Sequence, residues 1–96
     1  MDYKFKTTFY NDFAIADMFG IKAVEDTYKR AFKEWKSDYI YLTELAIVTN
    51  WRCWLHYGQG NLDLSELYST LYYKTRHYAL KHLKGEELSY YLKTTD

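Results

Sequence analysis

The chain predicts an all-α fold: a compact bundle of about four helices in a single helical domain over residues 1–96, with a central apolar third helix and a short extended segment at the N-terminus. Three observations carry this. There is no proline, and the glycines at 20, 58, 60 and 85 cut the chain into blocks of helix length. Within those blocks apolar residues recur at steps of three and four, the period of a helix face. Finally, 48% of the 96 residues are apolar and 21% aromatic, which fills one core without disulfides or metals and is far from the composition of a disordered chain.

Residues 3–9, YKFKTTF, alternate Tyr3, Phe5, Thr7 and Phe9 with Lys4 and Lys6. A strand here has no partner elsewhere in the chain, so an extended lead-in is expected unless a second chain pairs with it. Thr8 or Asn11 then caps a helix that runs to Phe19 with Phe9, Phe13 and Ala16 on one side. Gly20 suits a left-handed helix end, against which Ile21 would pack back. From Ile21 to Trp35, Ile21, Val24, Tyr28, Ala31, Phe32 and Trp35 form the clearest amphipathic stripe, with Lys22 and Asp26 spaced to pair across one turn.

Ser37 or Asp38 reads as the next N-cap. From Tyr39 to Tyr57 the apolar residues cover most of the circumference, as in a helix surrounded by others. The stretch YGQGN ends it, because two glycines around Gln59 are costly to keep helical. Asp63 with Glu66 resembles a capping box that opens a long helix to about Leu83. Gly85 closes that helix, and EELSYYLKTTD follows as a short terminal helix or a frayed tail.

The 13 Lys and Arg balance the 13 Asp and Glu, so no net field draws the chain to nucleic acid. The single cysteine cannot form an internal disulfide, and MDYKFKTTFY lacks the apolar run of a signal peptide. No window is apolar enough to span a membrane, so the cytoplasm is the expected compartment. Phosphate loops, dinucleotide fingerprints, zinc-protease helices and serine elbows have no match, and no catalytic residue, metal or cofactor is expected.

The stretch TNWRCWLHYGQG concentrates rare types. Cys53 and His56 are spaced to share a metal, but one cysteine and three histidines fall short of a structural zinc set, so Cys53 reads as a core thiol. Trp51 and Trp54 read as core filling; the alternative is that one tryptophan reaches a partner surface, with Arg52 and His56 as its polar rim. Glu44 lies on the apolar side of its helix and is expected to reach solvent or to pair with a cation; a perturbed acid in a pocket is the functional alternative.

The last long helix carries Lys74, Arg76, His77, Lys81 and, at its end, Lys84, interleaved with Tyr68, Tyr72 and Tyr73. Together with the excess of tyrosine, this points to a partner-binding face. The expected partner is a protein or a second copy as a homodimer, with nucleic acid, through phosphate contact and base stacking, as the alternative. The runs TTFYNDFAIADMFGIKAVEDTYKRAFKEWKSDYIYLTELAIVTNWRCW, LSELYSTLYYK and LKGEELSYYLKTTD resemble a family of small proteins encoded on plasmids, conjugative elements and prophages of gut bacteria. No activity is established for that family, so no residue role transfers. The resemblance implies an accessory protein of a mobile element.

Overall fold

The structure, a computed structural model, describes residues 3–95, with side chains from Phe9 to Thr95. Five helices follow one another: α1 (Tyr3–Phe19), α2 (Ile21–Trp35), α3 (Tyr39–Gly58), α4 (Leu62–His82) and α5 (Gly85–Thr95). No strand occurs among the described residues. The all-α expectation holds, with five helices where about four were expected, because the terminal segment is a helix.

The expected extended lead-in is overturned, and with it the caps at Thr8 and Asn11. Helix α1 is already formed at Tyr3. The physical reason lies in the missing partner strand. An extended segment alone leaves its N–H and C=O groups without a ladder, whereas a helix satisfies them within the segment. The alternation over seven residues was too short to outweigh that.

The other boundaries follow local chemistry. At Gly20 the backbone takes φ 103° and ψ −168°, a region glycine alone enters cheaply, and the chain turns directly from α1 into α2. Ile21 does not pack back there; it stays 39% exposed. Asp38 caps α3 by accepting from the Ile40 N–H (3.0 Å) and the Tyr41 N–H (3.4 Å). Gly60 (φ +79°) ends α3 in a Schellman turn: Asn61 N–H donates to His56 C=O (2.9 Å) and Gly60 N–H to Tyr57 C=O (3.2 Å). The capping box expected at Asp63 does not form. Asn61 stands at the N-cap of α4 and makes no side-chain cap bond.

Helix α3 touches each of the other four helices, as a central helix should. One core lobe joins Phe9, Phe13 and Ala16 of α1 to Val24 and Tyr28 of α2, Leu45 and Val48 of α3, and Tyr68 and Leu71 of α4. A second lobe gathers Leu42, Ala46, Ala79, Leu83 and Tyr91, seating α5 against α3 and α4. Between α2 and α4, Thr75 Oγ1 donates to Leu71 C=O (2.9 Å), so the buried Tyr28 hydroxyl must donate to Thr75 (2.7 Å). The result is a bundle with radius of gyration 12.7 Å.

Candidate functional site

Two features stand out: a buried polar cluster and an uncovered helix face. The cluster grows from the end of α1. Asp17 continues the stripe of Phe9 and Phe13, so it points inward at α3 and α4. Arg52 and His56 continue the stripe of Leu45 and Val48 on α3. All three side chains are nearly sealed, with side-chain exposures of 10% for Asp17, 10% for Arg52 and 6% for His56.

Asp17 Oδ2 accepts from Arg52 Nε (2.9 Å), Arg52 Nη2 (2.6 Å) and His56 Nε2 (2.7 Å). Its other oxygen accepts a short bond from the Tyr68 hydroxyl (2.5 Å). The imidazole of His56 stacks on the Tyr68 ring, with centroids 5.6 Å apart and planes at 8°. Asn61 Nδ2 approaches His56 Nδ1 at 3.4 Å, so the Schellman loop holds His56 by both its carbonyl and its ring. The ring thus meets the carboxylate through Nε2 and the Asn61 side-chain amide through Nδ1.

Four donated bonds match the acceptor capacity of an ionised carboxylate. Three of them fall on Oδ2 and one on Oδ1, and both ring nitrogens of His56 are engaged. An acid, an imidazole and a phenol thus meet in one buried hydrogen-bonded network. Burial above all, then the bond to Asp17 and its negative charge, raises the Tyr68 phenol far above the ordinary tyrosine range. Burial likewise raises Tyr28 and Tyr91.

A sign follows for pH. A phenol whose folded pKa exceeds its unfolded value of about 10 keeps its proton in the folded state while the unfolded chain ionises. Its contribution is complete below about pH 10 and falls as pH rises further. Urea unfolding followed at increasing alkalinity should show stability declining above about pH 10, with a shallower decline for Tyr68→Phe. A flat profile through that window would remove this account of the buried phenols.

This geometry inverts the expectation for TNWRCWLHYGQG. Arg52 and His56 do not form a surface rim: both are buried, because Asp17 supplies the charge that lets them enter the core. The tryptophans expected inside are outside instead, Trp51 at 46% exposure and Trp54 at 65%. Cys53 is half-buried, its thiol 3.6 Å from Ser65 Oγ; since Ser65 spends its hydrogen on Cys53 C=O, the thiol is the donor. Asp17 escaped sequence reading altogether. Its only signal was position, one turn beyond Phe13 on the inner stripe of α1.

Glu44 is fully buried and does not reach solvent. After burial itself, its charge is the next cause that raises the phenols of Tyr10 and Tyr90. No group of three or more His, Cys, Asp or Glu side chains with metal-holding geometry occurs among the described residues.

The second feature is the outer side of α4. Of the expected contact residues, Tyr73, Lys74, His77, Lys81 and Lys84 are exposed, while Tyr72 and Arg76 are half-buried. Tyr68 is corrected: at 0% exposure it belongs to the core and the Asp17 cluster, and cannot line a surface. A shallow groove of roughly 720 Å³ runs along this side, lined only by α4 residues, with Ser69, Tyr73, Arg76 and Leu80 along it. Ser69 also borders a second hollow, formed with Trp54, Tyr57 and Leu62. The two hollows make one continuous face across α4 and the end of α3.

No protein-family model, curated protein or solved structure matches the chain. Among the described residues, no helix is long and apolar enough to cross a membrane.

Proposed function

We propose that the chain is a small protein-interaction module that works in the cytoplasm without catalysis and makes contact through the outer face of α4. One observation carries this reading. Of the ten large apolar side chains left exposed among the described residues, Trp54, Tyr57, Leu62, Tyr73 and Leu80 share that face. Aromatic anchors with charged neighbours are the composition of an interface core and its rim. The resemblance to proteins of plasmids, conjugative elements and prophages suits an accessory protein that acts by binding another macromolecule.

Nucleic acid is the second reading, favoured by Lys74, His77 and Lys81 exposed beside Tyr73. Asp63 and Glu66 continue the same face and would repel a phosphate backbone laid along it. Binding of this kind would weaken steeply with salt.

The test compares tagged wild type with a Tyr73→Ala, Leu80→Lys variant and a Lys29→Glu control on α2. These positions are exposed, so each change should alter stability by no more than about 0.5 kcal/mol. The bound protein, a second copy included, should stay with wild type and control and be lost from the α4 variant. Equal retention by all three would refute the assignment of this face.

A further inference from the structure

The exposed side of α4 is complementary to its own reverse. From Asp63 onward its exposed positions recur at steps of three and four: Asp63, Glu66, Thr70, Tyr73, His77 and Leu80. That is a heptad-like seam, the spacing that keeps one helix face against another. Acid occupies its N-terminal end, Lys74, His77 and Lys81 the C-terminal end, and the neutral pair Thr70 and Tyr73 the middle. A second α4 running antiparallel, with its Tyr73 opposite Thr70, brings its His77 opposite Glu66 and its Leu80 and Lys81 opposite Asp63. Two-fold symmetry repeats every one of these pairs. The parallel arrangement sets acid on acid and base on base. Antiparallel pairing also places each helix's positive N-terminus beside the partner's negative C-terminus.

The other exposed apolar cluster, Ile15, Met18, Phe19 and Ile21 at the corner between α1 and α2, has no such pattern to name an occupant. We infer that the α4 face is occupied by a second copy of the chain, docked antiparallel, α4 on α4. This rests on the reading of α4 as the contact face and specifies its partner. A phosphate backbone, uniformly negative, matches only the basic half of the seam, whereas a reversed copy matches both halves.

Sedimentation of the full chain over a concentration series should show wild type shifting from 11.7 kDa to twice that mass. An Asp63→Lys, Glu66→Lys variant carries an all-basic seam, and a Lys74→Glu, Lys81→Glu variant an all-acidic one. Each alone should lose the dimer while keeping the wild-type circular dichroism. Mixed in equal amounts, they should recover a one-to-one complex, since basic then faces acidic along the whole seam. A wild type that stays monomeric throughout, or a dimer indifferent to both variants, overturns the proposal.

A photoreactive benzophenone amino acid in place of Tyr73, in the full chain inside bacterial cells, separates the two levels. An adduct to a second copy supports the dimer. An adduct to a different protein overturns the second copy as partner and leaves the contact face standing. With no protein adduct, or one to nucleic acid alone, both fall.

Discussion

Asp17→Ala is expected to lower the unfolding free energy by about 3–5 kcal/mol, the cost of leaving a buried charge without its counter-ion. Measured by urea unfolding, that is a large part of the roughly 5–15 kcal/mol that holds a small domain together. The loss follows from the number of groups that depend on one carboxylate. Arg52 loses both of its short bonds, His56 loses the acceptor for Nε2–H, and the Tyr68 hydroxyl is stranded within the core. Asp17→Asn keeps the shape but replaces the charge with an amide, one end of which is a donor facing donors, so it should recover little.

The double variant Asp17→Ala, Arg52→Met is the informative companion. Removing the cation as well takes away the uncompensated charge, so the pair should be more stable than Asp17→Ala alone. If Asp17→Ala costs less than about 1 kcal/mol, the cluster behaves like a surface ion pair and the account of its burial is wrong.

Phe13→Ala should be the other severe change, at about 3–5 kcal/mol, through the lost transfer energy and the cavity left behind. Phe13 is fully buried and meets Tyr68 edge-to-face, centroids 5.7 Å apart and planes at 71°. Its loss therefore loosens the ring that carries the hydroxyl bonded to Asp17. Trp54→Ala, which removes a larger side chain, should cost no more than about 0.5 kcal/mol, because Trp54 is already in solvent. If denaturant midpoints rank Trp54→Ala as the more damaging, the inside and outside of α3 have been exchanged.

That contrast shows where sequence reading succeeds and where it stops. The span of α2 and the central role of α3 were legible, because glycine punctuation, the Asp38 cap and helical periodicity are local signals. The terminal α5 and the start of α1 were less so: a seven-residue alternation can suit a strand locally and still lack anything to pair with. The last third of α3 misled for a different reason. Hydropathy sends tryptophan inward and arginine outward, yet Arg52 and His56 sit on the inner stripe and Trp51 and Trp54 do not. What reverses the rule is Asp17, 35 residues before Arg52 and on another helix. No local pattern contains that partner. On α4, Tyr73, Lys74, His77 and Lys81 are exposed, whereas Arg76 is half-buried. Tyr68 is buried: beside Leu71, its side of the helix carries Ser65, Thr75 and Ala79, small or polar residues that dilute the apolar signal.

The Asp17 cluster also bears on which packing the chain selects. The apolar stripe of α1, Phe9, Phe13 and Ala16, could slide along its neighbours and find other greasy contacts. A slide of one turn, about 5.4 Å, would set Phe13 or the Gly20 corner against Arg52 and leave a buried cation facing no charge. Only one axial placement of α1 brings Asp17 to Arg52, His56 and Tyr68 together. Hydrophobic burial makes α1 adhere to the bundle, while a single carboxylate tells it where.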